Sequence, residues 1–155
     1  MTNPTTTVGN NPADDSEAVI ASGVSGETVV APRHHLLDLD DLSAAEINEL
    51  LDSAEGMLEI AGRDNRKTPA LRGKTIITMF FENSTRTRVS FEQAGKILGA
   101  DVINVTASAS SVSKGESLLN TVKTLQAMQI DALVVRHPHS GASYFISNHT
   151  DASVV

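Results

Sequence analysis

At 155 residues, 40% of them hydrophobic, the chain is long enough for one domain with its own core. It contains no cysteine, which excludes disulfides, thiolate metal sites and a cysteine nucleophile. The net charge of −7 hides an asymmetry: residues 1–65 carry 13 acidic groups against Arg33 and Arg63, whereas residues 66–155 carry 10 basic groups against 6 acidic ones.

The basic residues are scattered, so nucleic acid is not the expected partner, and a small anion matches a few placed cations better. Apolar runs such as Ile76-Ile77 and Leu133-Val134-Val135 are too short to span a membrane. No basic segment precedes an apolar one in the manner of a secretion signal, so the expectation is a soluble, cytoplasmic protein.

Residues 1–32 are rich in Thr, Asn, Gly, Ser and Pro and lack aromatic residues, the composition of a disordered tail. The first helix is expected from Ser43, which forms a capping box with Glu46. Leu42, Ile47, Leu50, Leu51, Ala54, Leu58 and Ala61 then recur at three- and four-residue steps, with an acidic solvated face opposite. Residues 64–72, polar and basic with Pro69, make a connection.

From there the pattern alternates. Residues 74–81, "KTIITMFF", read as a buried strand, and 84–98 as a helix stopped by Gly99. Residues 101–105 are a second strand, 107–115 a loop of small residues, and 116–129 a helix with Leu118, Leu119, Val122, Leu125 and Met128 as its stripe. Residues 131–135 form a third strand, 136–141 a turn and 141–149 a short helix, and Val154-Val155 begin another strand. This order implies βαβ units: an α/β three-layer sandwich, its mainly parallel sheet flanked by helices on both faces. Ligands in such sheets bind beyond the carboxyl ends of the strands, which points to 82–88, 106–115 and 136–141.

Each of these loops carries anion-binding chemistry. Ser84, Thr85, Arg86, Thr87 and Arg88 crowd a strand-to-helix junction, where unpaired N–H groups and the helix dipole favour phosphate. An arginine fork can grip two oxygens at once. One cap needs one hydroxyl, so the set exceeds what helix initiation requires; Arg88 is expected simply to pair with Glu92 one turn on. In the second loop Ser113 and Glu116 have capping-box spacing. Lys114, beside Gly115 among small side chains, can swing towards an anion, although a solvated lysine reads equally well there. In the third, Arg136 emerges where a strand ends. His137 and His139 flank Pro138 with no third ligand nearby, so no metal is expected. No glycine-rich phosphate loop and no G-x-G-x-x-G follows any strand, which leaves nucleotide hydrolysis and nicotinamide or flavin cofactors unsupported.

Taken together, "FFENSTRTRVSFE", "SSVSKGES" and "VVRHPHSGA" resemble the amino-terminal half of the aspartate carbamoyltransferases, from about His34 to the end of the chain. The nearest alternative is the ornithine branch, which typically lacks the R-H-P turn; a non-catalytic anion-binding module is the alternative outside enzymes. The resemblance implies transfer of the carbamoyl group of carbamoyl phosphate to L-aspartate in pyrimidine biosynthesis, with no cofactor. It implies that Ser84, Thr85, Arg86 and Thr87 hold the phosphate, that Arg86 stabilises the leaving group, and that Thr87 and Arg136 contact the carbonyl oxygen. Lys114 and Ser111, or else Ser110, would reach into a neighbouring subunit of a homotrimer, to which regulatory chains could attach. Residues 33–155 then constitute a carbamoyl-phosphate-binding domain, incomplete at its carboxyl end. The aspartate-binding domain and an H-P-T-Q-type segment of the longer family chain are absent, so the chain is expected not to turn over alone.

Overall fold

The computed structural model describes residues 33–106 and 116–155; the expected tail at 1–32 lies outside them. The elements are α1 (Ala44–Ala61), β1 (Thr75–Phe80), α2 (Thr85–Ile97), β2 (Asp101–Thr106), α3 (Leu118–Ala127), β3 (Ala132–Arg136), α4 (Ala142–Ser147) and β4 (Ser153–Val154). All three strand pairings are parallel, in the order β2-β1-β3-β4. The expected α/β architecture holds.

The faces of the sheet follow from the alternation of side chains along β1. Ile77 and Met79 point to one side, where they join Leu133 and Val154 of the sheet, Val122 and Leu125 of α3, and Ile146 of α4 in the buried cluster. Ile76 points to the other side, where α2 approaches so closely that Gly95 is required: a Cβ there would lie 2.6 Å from Val102 Cγ2 and 3.3 Å from Ile76 Cδ1. The chain leaves β1 for β2 on one side and later crosses to β3 on the other. Right-handed connections therefore place α2 and α3 on opposite faces.

Local signals set most of the element ends. Ser43 and Glu46 form the expected reciprocal capping box. Arg33 holds the Glu46 carboxylate at 2.7 Å. The backbone N–H of Ser43, then Arg33 and the Ser43 hydroxyl, depress its pKa to about 2. At the far end of α2, Gly99 adopts φ +87°. Its N–H donates to Lys96 O at 3.3 Å and that of Ala100 to Gly95 O at 2.9 Å, a Schellman closure. Thr68 and Leu71 amides take the next carbonyls, Ile97 O at 2.8 Å and Leu98 O at 2.7 Å.

Two helix expectations require correction. The helix expected over 116–129 begins only at Leu118, with Ser117 as its cap, the hydroxyl accepting from Asn120 N–H at 3.2 Å. Ser113 lies outside the described residues. Its stripe is buried at Val122 and Leu125, but Met128 is 64% exposed, because the helix has ended before it. The stripe of α1 is uncovered throughout: Ile47, Leu50, Leu51 and Leu58 are all exposed, and no residue of this helix is buried. Periodicity reports a face that can be buried and is silent on what buries it. Among the described residues no helix is long and apolar enough to cross a membrane.

Candidate functional site

β1 occupies the position where the sheet's connectivity reverses, with β2 on one side and β3 on the other. The crevice at the carboxyl ends of β1 and β3 is therefore the topological switch point, the place where open parallel sheets bind ligands. Parallel register sets Phe80 beside Arg136, and Phe81 N–H donates to Arg136 O at 2.8 Å. Residues 81–88 and 136–139, far apart in sequence, thus leave the sheet side by side. β2 ends next to them at Thr106, paired with Phe80. Ser110, Ser111 and Lys114 fall outside the described residues.

Ser84 stands at the N-cap of α2 with φ −150° and ψ 85°, and its hydroxyl makes no capping hydrogen bond. Its carbonyl accepts the first helical bond, from Arg88 N–H at 3.1 Å. The N–H groups of Thr85, Arg86 and Thr87 belong to the first turn, which has no intrahelical acceptor. Three N–H donors at one helix end, two of them on residues that also carry hydroxyls, are arranged as a cradle that can receive a multiply charged oxyanion. Arg86 is exposed and makes no ion pair among the described residues.

The expected Arg88–Glu92 pair does not form. Glu92 instead receives Lys96 Nζ at 2.5 Å and Asn104 Nδ2 at 2.7 Å. Asn104 also accepts from Thr78 Oγ1, so strand and helix are tied through one amide. The Lys96 and Asn104 bonds lower the Glu92 pKa, with the Arg88 charge contributing least. Helical spacing offered Glu92 two cations, and the tertiary contact with β2 left the i+4 lysine as its partner.

Arg136 is engaged by a residue that sequence reasoning left without a role. Its Nε donates to Glu82 Oε2 at 2.9 Å, both side chains partly exposed. Only the β1–β3 register could have revealed this pair, since the two residues are separated by 54 positions. His137 packs edge-on against Phe81 and accepts the His139 backbone N–H at Nδ1, 3.0 Å away. Burial first, and then the charge of the neighbouring His139 ring, push the His137 pKa down, against the pull of the His139 backbone contact and of Glu82. Among the described residues no group of three or more His, Asp or Glu side chains is arranged to hold a metal.

A family model described as "Aspartate/ornithine carbamoyltransferase, carbamoyl-P binding domain" matches residues 34–155. The aspartate carbamoyltransferase catalytic subunit of Roseiflexus castenholzii is 58% identical over 123 residues, 79% of this chain and 39% of the relative. That of Sorangium cellulosum is 56% identical over 126 residues, 81% of this chain and 39% of the relative. Among solved structures, the catalytic subunit of M. jannaschii aspartate transcarbamoylase is similar with a TM-score of 0.72 at 41% identity, over 79% of this chain and 40% of that one. Aspartate transcarbamoylase from Trypanosoma cruzi in complex with carbamoyl phosphate and aspartate is similar with a TM-score of 0.71 at 32% identity, over 77% and 37%. The chain spans about two fifths of the length of the curated relatives it matches.

Proposed function

Because this chain belongs to the aspartate/ornithine carbamoyltransferase family through the domain that binds carbamoyl phosphate, we propose that it supplies the carbamoyl-phosphate site of an aspartate carbamoyltransferase. The reaction is transfer of the carbamoyl group to the amino group of L-aspartate, giving N-carbamoyl-L-aspartate and phosphate. The aspartate branch is favoured over the ornithine one by the names of the relatives and by the R-H-P turn at 136–138.

The observation that carries the reading is the junction of β1 and α2. A Ser84 hydroxyl that makes no capping bond, the first-turn N–H groups and Arg86 follow directly on the strand whose Phe80 is in register with Arg136. In the proposed assignment Ser84, Thr85, Arg86 and Thr87 bind the phosphate. Phosphate leaves as a polyanion, so the cradle must hold the developing charge, and each charge-assisted bond contributes about 1.5–3 kcal/mol. Arg86 carries most of this.

Thr87 and Arg136 are assigned to the carbonyl oxygen, which gains negative charge as the amine attacks. A donor aimed at such an oxyanion is worth about 2.7–4 kcal/mol in the transition state. Arg136 must turn from Glu82 to reach it, and an exposed pair holds it by only about 0.2–1 kcal/mol. Ser111 and Lys114 are assigned to the active site of an adjacent subunit in a cytoplasmic homotrimer. The dependence of active sites on mixed chains would test that.

Isothermal titration of the chain with carbamoyl phosphate and with inorganic phosphate separates this reading from a plain anion module. Carbamoyl phosphate is expected to bind more tightly, by about tenfold for one added hydrogen bond to a charged donor. Equal affinities would remove the carbonyl contacts and the proposal with them.

A further inference from the structure

Arg136 is the last residue of β3, and the residues after it decide where its guanidinium emerges. His137, half-buried, sets its ring edge-on to Phe81, with centroids 4.5 Å apart and planes at 62°. Phe81 itself packs against the buried cluster. Across Pro138, His137 Nδ1 accepts the His139 backbone N–H at 3.0 Å, closing an i to i+2 turn in the way an Asn or Asp side chain does. The His139 ring then meets that of His137 edge-on at 5.1 Å. Since the Phe81 N–H also donates to Arg136 O, Arg136 is held between two contacts that both end on Phe81.

A histidine meets both demands of this position. Phenylalanine would cover Phe81 and accept nothing, whereas asparagine would accept the N–H and cover little. A ring nitrogen accepts an N–H only when it carries no proton, so this contact requires the neutral ring with its proton on Nε2. We propose that His137 is a positioning residue for Arg136: anchored on Phe81, its ring clasps the 137–139 turn and so aims the Arg136 guanidinium at the mouth of the anion cradle. The inference rests on the reading of Arg136 as a ligand to the carbamoyl oxygen.

The charged groups around the ring are Glu82 from the β1–α2 turn, His139 across its own turn, and Arg136 next to it in the chain. Burial and the charge of the His139 ring lower the His137 pKa, the His139 backbone contact and Glu82 raise it, and the net is a lowering. The clasp is thus present at neutral pH and is lost as pH falls through the lowered value.

The test compares the wild-type chain with His137→Asn and His137→Phe. In ¹⁵N spectra the wild-type ring is expected as the Nε2–H tautomer. The His139 amide should exchange slowly in wild type and His137→Asn, and about tenfold faster in His137→Phe, as loss of one hydrogen bond implies. Carbamoyl-phosphate affinity should fall about tenfold in His137→Phe and stay within about threefold in His137→Asn, with inorganic phosphate nearly unchanged in both. On acidification, wild-type affinity for carbamoyl phosphate should show a step that His137→Asn lacks. If His137→Phe fails to fold, the tautomer and this missing step still decide the matter. An Nδ1–H tautomer, a His139 amide indifferent to the substitutions, or an acid step that survives in His137→Asn would each overturn the proposal. Wild-type chain that binds carbamoyl phosphate no better than phosphate would overturn it through Arg136, while the tautomer and the amide would still show whether the clasp exists.

Discussion

At the amino end of the sheet, Asp131 receives both Lys74 Nζ and the Thr75 N–H at 2.8 Å. The last carbonyls of α2 are taken by Thr68 and Leu71 amides. At the carboxyl end the Ser84 hydroxyl caps nothing, and Arg86 pairs with no carboxylate among the described residues. The same residue types thus serve two purposes. Polar groups at one end satisfy each other and stitch strands to helices, whereas at the other end Arg136 is held by Glu82 but Ser84 and Arg86 make no capping bond or ion pair among the described residues. Donors left without a partner in the folded chain add nothing to its stability.

Four substitutions sharpen that contrast. The largest effect is expected at Arg86. Arg86→Ala should weaken carbamoyl-phosphate binding by about 10- to 100-fold, corresponding to loss of one or more charge-assisted bonds, and leave Tm nearly unchanged. Arg88, two positions along α2, does not share its face, and Arg88→Ala should change affinity less than threefold or so, by the same titration. Equal losses would mean that the helix presents both arginines to the ligand.

At the other end the order reverses. Gly99 has φ +87°, and a Cβ would stand 2.8 Å from the Thr68 carbonyl oxygen. Gly99→Ala should cost about 1–3 kcal/mol in denaturant unfolding, with carbamoyl-phosphate affinity of the folded fraction preserved. Loss of affinity at constant stability would break the division between the two ends.

The smallest effect is on pH dependence. The Lys74 and Thr75 bonds lower the Asp131 pKa. A depressed carboxylate contributes its stability above the ordinary carboxylate range and loses it as pH falls through the folded-state value. Tm measured against pH should therefore fall less steeply on acidification in Asp131→Asn than in wild type. Parallel curves would indicate that Asp131 holds nothing at acid pH.

What could be read along the chain was whatever is decided within a few residues. The Ser43–Glu46 box, the Gly99 stop and the strand of 74–81 all rest on local backbone and side-chain geometry. So does the crowding of donors from Ser84 to Thr87 at a strand-to-helix junction. The failures share the opposite property. Glu92 was drawn to Asn104 on β2 and to Lys96 in place of Arg88. The repeating stripe of α1 met no cover among the described residues, whereas the α3 cap at Ser117 is itself a local bond, to Asn120 N–H, that a start at residue 116 passed over.

By itself, then, the sequence determined that strands alternate with helices and that a cluster of hydroxyl and guanidinium donors stands where β1 gives way to α2, because hydrogen bonding within a turn and apolar period act over short range. Only the tertiary structure decided that Arg136 meets Glu82 and that His137 rests on Phe81. Those partners lie more than fifty positions apart, and the register of two parallel strands is what brings them together.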